Sequence, residues 1–383
     1  MPVQTGMQTT FGANSYDLYV NIEDKIQKYP DPRLELLKRW DGKNFKKAVN
    51  SHEYRWDIRD FRPVSSTIAT AIASGATTLI LNTPGVLQVN ELFKKPDGEQ
   101  CVVTAVSGGV QVTFRTLAGT PESVEIGETV TRIGGAAPQG SRMHDGSARG
   151  KTPLFNYTSI ITDYLTLSDT QEQALIRGDE GSDEQIVTMQ KLKGEDLQAQ
   201  LLLGQRTADD TRETYTLGGL KYFIDTYASA NVINFGGSGT WSTDAGVIGK
   251  LDDGFDKIAA KAFDKPVMYV GAKFMRKFKN VQDETTRTTL REGARGVGFV
   301  RTYLSHLFGD IDVIMIQDRA GIMDDLVFLV DESQVGYKAM RNRGWKVEKQ
   351  GKSGDRHQWM MVGEYTAKFS VPESMVYLYN LGV

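Results

Sequence analysis

The stretch Glu184–Gln205, EQIVTMQKLKGEDLQAQLLLGQ, decides how the rest of the chain is read. Just before it, Ser182 and Gln185 stand at the spacing of a capping box, in which hydroxyl and amide satisfy the first free backbone N–H groups of a helix. A long helix is therefore expected from Asp183 to Leu203, with Gly204 where a C-terminal cap belongs. Ile186, Met189, Leu192, Leu197 and Leu203 cover a wide arc of it, but Lys193, Asp196 and Gln200 intrude. Such a helix is not expected to bury against one simple core. A long helix with a broken apolar face is often shared between neighbouring subunits.

Downstream, Gly246–Phe263 places Ile248, Leu251, Phe255, Ile258, Ala259 and Ala262 on one helical stripe, and Val267–Val270 reads as a buried strand. Short helices and strands alternate through Phe274–Phe278, Val297–Leu304 and Val313–Gln317. The final segments, VFLVD, QVGYKAM, HQWMMVGEYTAKFSVP and MVYLYNL, alternate as antiparallel strands closing a sheet. Upstream the composition changes abruptly. From Val64 to Ile133, Val, Thr, Ile and Gly dominate and helical periodicity disappears. Thr77–Asn82, Gln100–Val106, Val110–Leu117 and Glu128–Ile133 each read as a strand, with turn signals between them. This spacing indicates a small β-barrel or sandwich of roughly 70 residues inside the chain. Ahead of it lie a polar arm (1–14), a helix face at Leu18, Ile22 and Ile26, a break at Pro30 and Pro32, and a short helix beginning near Leu34. His52–Pro63, HEYRWDIRDFRP, suits an extended strand.

At 383 residues the chain exceeds the roughly 250–300 at which single cores divide, so two or three units are expected. Hydrophobic residues at 40% and charged residues at 24% fit a folded, soluble protein. Forty-five basic and 48 acidic side chains leave a net charge of −3, which excludes a strongly cationic nucleic-acid glove. Cys101 is the single cysteine and cannot close an internal disulfide; with only four histidines a structural zinc cluster is not expected. No apolar run approaches the roughly 20 residues of a membrane helix, and the first residues lack a secretory pattern. Folding in a cytoplasm, without a membrane partner, is the expectation.

Motifs that carry chemistry are nearly absent. Gly236–Trp241 and Gly296–Arg301 contain Gly-x-Gly, but Ser242 and Arg301 stand where a dinucleotide fingerprint needs its third glycine. The acidic run Gly178–Glu184 is out of register for a calcium loop and suits a helix start. Asp310-Ile311-Asp312 reads as a turn before a strand rather than a metal-binding pair. His52, His144, His306 and His357 are far apart, and Cys101 reads as a small buried hydrophobe. Trp56, Trp241, Trp345 and Trp359 sit in polar or alternating segments and, with Arg59 and Phe61, are the candidate packing or intersubunit-contact residues. No catalytic, cofactor-binding or metal-binding residue is assigned, and an enzyme is not expected.

The order of these features resembles the major capsid proteins of tailed bacteriophages, with the Hong Kong 97-type fold, in the branch carrying a β-rich insertion in the extended loop. Glu53–Ile58 resembles the strand leading into that loop, Thr152–Gly178 its return, and Glu184–Gln205 the spine helix, with Gln200 where a second acid is common. Gly218–Ile224 looks like the start of the axial domain, and Leu307–Arg341 and Val362–Gly382 resemble the C-terminal half. The resemblance covers about 45–383. It implies an α+β chain with an N-terminal arm (1–45), an extended loop (46–168) holding the β-module (64–133), a peripheral domain with the spine helix (169–214), an axial domain (215–325) and a return to the peripheral domain (326–383). It further implies self-assembly into hexamers and pentamers of an icosahedral head, assembled in a host bacterial cytoplasm. Such a head encloses double-stranded DNA by weak, non-specific contact, with a portal and a separate scaffold or cement protein. A nanocompartment shell of the same fold, and a soluble enzyme or polymer-binding protein with a β recognition module, are the alternatives.

Overall fold

The computed structural model describes residues 34–59, 62–135, 151–168, 182–209, 211–212, 214–236, 244–259, 261–278, 288–292, 298–316, 321–351, 354 and 356–380. The arm and first helix, Phe61, His144, Trp241 and most of the acidic run lie outside them. Two compact units are present, Asp57–Leu154 and the remainder.

The chain enters through α1 (Glu35–Trp40), whose Leu36, Leu37 and Trp40 are all buried, and continues into β1 (Glu53–Ile58). In the inner unit, β2 (Ser65–Thr67), β3 (Thr78–Ile80), β4 (Glu91–Lys94), β5 (Gln100–Ser107), β6 (Gln111–Thr116) and β7 (Thr129–Gly135) run in the spatial order β2-β7-β4-β5-β6-β3. The series closes on itself. Ile68 bridges Leu81, the Ala69 N–H donates to the Ile80 carbonyl at 2.8 Å, and the Asn82 N–H donates to the Thr67 carbonyl at 3.0 Å. The module is therefore a barrel rather than a sandwich. Its core holds Leu79, Leu81, Phe93, Cys101, Val103, Val112, Phe114 and Val130. Cys101 is fully buried, and burial pushes its thiol up to about 11, which suits a packing role. Arg62 fastens the approach to the barrel. Its guanidinium meets both Glu91 carboxylate oxygens at 2.5 Å and donates to the carbonyls of Gly85 at 2.7 Å and Val86 at 2.8 Å.

β8 (Thr152–Tyr157) pairs with β1 and leads into β9 (Ser159–Ser168). Next come α2 (Ser182–Leu203), the hairpin β10 (Thr207–Asp209) and β11 (Thr214–Thr216), α3 (Leu220–Tyr227), β12 (Val232–Asn234), α4 (Asp244–Ala259), β13 (Val267–Val270) and α5 (Ala272–Phe278). Strands complete the chain: β14 (Thr288–Glu292), β15 (Gly298–Ser305), β16 (Gly309–Met315), β17 (Val327–Val330), β18 (Val335–Ala339), β19 (Lys346–Lys349), β20 (Arg356–Phe369) and β21 (Met375–Tyr379). The expected long helix is thus present as α2, with one extra residue at its start.

The C-terminal strands do not close a single sheet. β17 and β21 join a mixed seven-stranded sheet ordered β12-β21-β17-β13-β16-β15-β14, whereas β18, β19 and β20 form another with β9. β21 runs antiparallel to β17 but parallel to β12, which alternation along the chain could not reveal. α4 covers the first sheet with Val247, Leu251, Phe255 and Ile258, while Ile248 is half-buried and Ala259 exposed. The buried stripe is therefore centred one residue earlier at its start than the sequence suggested. Asp310 and Asp312 lie on β16, not in a turn; the turn is at His306–Phe308.

One network ties α1 to the seven-stranded sheet. The fully buried Trp40 donates its indole N–H to the Tyr269 hydroxyl at 3.1 Å and meets the Tyr269 and Phe369 rings edge-on, 5.8 and 6.2 Å between centroids. Tyr269 in turn donates to Glu332, which also receives Arg39 at 3.2 Å and Lys43 at 3.0 Å. Burial alone would raise the Glu332 pKa. Hydrogen bonds from Tyr269 and Lys43 and the charges of Lys43 and Arg39 outweigh it and hold the carboxyl below its usual range. Burial, followed by the Glu332 charge, pushes the Tyr269 phenol well up.

Trp40→Ala should cost about 3–5 kcal/mol in denaturant unfolding, since a large buried ring and its cavity are both lost. Because the Glu332 pKa is depressed on folding, its contribution is present above the ordinary glutamate value of about 4.3 and lost as pH falls through the lower folded value. Removing Arg39 and Lys43 together (both to Met) should move the acid-unfolding midpoint to higher pH, read by circular dichroism.

Candidate functional site

β20 is paired along both edges. β9 runs antiparallel to it for ten residues, from Ser168 opposite Arg356 to Ser159 opposite Tyr365. On the other edge β19 pairs with Trp359–Val362 and β18 with Tyr365–Phe369. Strand side chains alternate between faces, so this register gives each face a fixed set. Ile161, Leu167, Trp359, Met361, Tyr365 and Ala367 fall on one face, and all are buried. Asp163, on that same face, takes Lys193 of α2 at 3.7 Å, which sets the helix on this side.

The opposite face is open over β9. Ile160 is 55% exposed and Tyr164 63%, and Thr162 and Thr166 are exposed beside them. Across the ladder Thr162 and Tyr164 face the half-buried Val362 and Met360, Ile160 faces the buried Glu364 and Thr166 faces Gln358, while Lys346 and Glu348 of β19 form an exposed, charge-balanced rim. Antiparallel sheets with one solvated face normally turn polar residues outward. Here the centre is apolar and the rim polar, which is the anatomy of a protein–protein contact. Nothing in the sequence reading singled out Ile160 or Tyr164. The signal was available in the alternation of SIITDYLTLS, where both faces carry large apolar residues.

The aromatic candidates take different places. Trp56 is buried, 5.8 Å from the Phe223 ring, and its indole N–H has no hydrogen-bond partner. Trp359 is buried under the Lys349 ammonium, 5.0 Å from its ring centre. Trp345 is half-buried and lies on Gly363, where a Cβ would come within 2.6 Å of its ring and 2.7 Å of Tyr365. Arg59 is exposed, and Phe61 and Trp241 lie outside the described residues. Two of the polar intruders on α2 are used within the chain: Lys193 pairs with Asp196 at 2.9 Å as well as with Asp163. Gln198, only 3% exposed, and Gln200 each keep a buried side-chain carbonyl without a hydrogen-bond partner. Among the described residues no group of three His, Cys, Asp or Glu side chains could hold a metal ion.

A family model described as SU10 major capsid protein matches residues 3–382. No curated protein matches the chain. A chain in the capsid structure of the cyanophage P-SCSP1u superposes with TM-score 0.51 at 10% identity, covering 99% of this chain and 98% of that one. One from Microbacterium phage Oxtober96 gives TM-score 0.50 at 12% identity, covering 95% and 96%. The SrpI encapsulin of Synechococcus elongatus gives 0.42 at 12% identity over 60% of this chain and 76% of its own, too loose a superposition to carry an argument. At these identities the likeness concerns the fold, which is α+β and of the Hong Kong 97 type.

Replacing Ile160 and Tyr164 together by Ser should leave the subunit's own unfolding free energy within about 1 kcal/mol of the parent, as expected for exposed positions. Association between copies, followed by sedimentation, should fall.

Proposed function

This chain belongs to the SU10 major capsid protein family, a structural and non-enzymatic role, and from that premise we propose that its copies join as hexamers and pentamers of an icosahedral phage head around double-stranded DNA. The observation that supports the reading most directly is the open apolar face of β9 and β20, on a subunit whose family forms shells. Its occupant is a second copy of the chain. Many such modest contacts, repeated by symmetry, sum to a stable shell. A net charge of −3 suits a container that surrounds DNA without gripping it at every turn.

In this reading residues 1–45 form the arm, 46–168 the extended loop with its module, 169–214 and 326–383 the peripheral domain, and 215–325 the axial domain. The barrel reinforces contacts between neighbouring capsomers. Arg59, Trp345 and, outside the described residues, Phe61 and Trp241 contact neighbouring copies, while Trp56 and Trp359 fix the surface from within. A portal and a separate scaffold or cement protein complete assembly, which takes place in the host cytoplasm.

Negative-stain microscopy of the expressed chain tests the proposal. Closed shells, or hexamers and pentamers, are expected; a stable monomer at micromolar concentration refutes it. Shells from infected cells should hold DNA, and protein cargo in its place would identify a nanocompartment. Deleting Val64–Ile133 should leave the remaining unit folded by circular dichroism yet reduce shell yield. Cooperative loss of the whole fold would show that the barrel is not a separable part.

A further inference from the structure

The turn between β15 and β16 meets α4 through the Phe308 ring, 6.1 Å from that of Phe255, and through one polar side chain, His306. His306 places Nδ1 3.2 Å from Asp252 Oδ1 and Nε2 2.9 Å from Asp256 Oδ1. Asp252 and Asp256 are one helical turn apart on α4, so their carboxylates stand side by side. Among the described residues, the groups facing the imidazole are these two carboxylates and, behind Asp252, the Tyr303 phenol, whose hydroxyl donates to the same Asp252 oxygen at 3.4 Å. An ionised carboxylate only accepts hydrogen bonds, and a neutral imidazole has only one N–H to give. Both bonds exist together only when the ring carries two protons.

We propose that His306 is a proton-operated clamp, which holds the β15–β16 turn on α4 while protonated and gives up one of its two bonds when it is neutral. The turn is a meaningful thing to hold. It carries Leu307, 49% exposed, next to Leu304 at the end of β15, 47% exposed, with Phe308 packed into the core under α4. The clamp therefore governs how firmly this apolar pair is presented, whatever the pair meets. The direction of titration agrees: the hydrogen bond to Asp256 first, partly offset by desolvation, then Asp252, raise the His306 pKa above its ordinary value. A raised folded-state pKa means that the clamp's stabilisation is complete below the ordinary histidine value of about 6.5 and is lost as pH rises through the folded value.

Hydrogen exchange of the full chain, from pH 5.5 to 8.5 and corrected for the intrinsic exchange rate, tests this on the amides of Tyr303–Gly309. In the parent protein, protection should fall roughly two- to fivefold as pH rises, the size expected for one exposed ion pair, with a midpoint above 6.5. In Asp256→Asn the midpoint should move down, and in His306→Gln the profile should be flat. Asp256 is solvent-exposed, so its substitution leaves the core intact. A flat profile in the parent, or a midpoint unmoved by Asp256→Asn, overturns the proposal. Neither outcome depends on whether the protein forms shells.

Discussion

The register of β20 is the constraint on which the larger unit depends. Fourteen residues of one strand hold β9 along one edge and β19 and β18 along the other. Side chains alternate with a period of two, so a slip of one residue would exchange the buried set for the open set. Trp359, Met361, Tyr365 and Ala367 would turn outward, and polar or half-buried residues would face α2. Gly363 pins the register further, because only a residue without a side chain fits beneath Trp345 and Tyr365. The face that carries Ile160 and Tyr164 is a by-product of the same pairing. It is apolar because β9 has large residues on both sides, and it is accessible because the described chain supplies α2 to one side alone.

The network around Trp40 plays a different part. It joins the start of the described chain to β13 and to Glu332, residues that are hundreds of positions apart in sequence. Glu332 is shared by a phenol and two cations, so the charge is satisfied while largely removed from water. The N-terminal segment is thus anchored by chemistry rather than by simple contact.

Elements with strong local signals were legible in the sequence. The Ser182 and Gln185 spacing, the long apolar-and-polar run and Gly204 located α2 within a residue, and four of the six barrel strands followed from their turn signals, whereas the short β2 and β4 did not. Closure of the barrel was not legible, because it rests on the pairing of Ile68 with Leu81 and on no local pattern. The division of the C-terminal strands between two sheets was hidden for the same reason: β17 and β18 are four residues apart yet choose different partners. The role of Trp40 has no local signature in the sequence, since it depends on Tyr269, far along the chain. The open surface went unread because a sheet face becomes exposed only by what fails to cover it, and His306 meets its two aspartates only through tertiary packing.

The pairing of β9 with β20 also sets a timetable for synthesis. About 190 residues separate the two strands, and at roughly 5–20 residues per second a ribosome needs some 10–40 s to make them. The barrel strands, complete well before that, find all their partners within their own stretch of chain. β9 must wait, with Ile161 and Leu167 still uncovered, until almost the last strand emerges. In a cell making many copies side by side, that interval is when one nascent chain is most apt to pair with another.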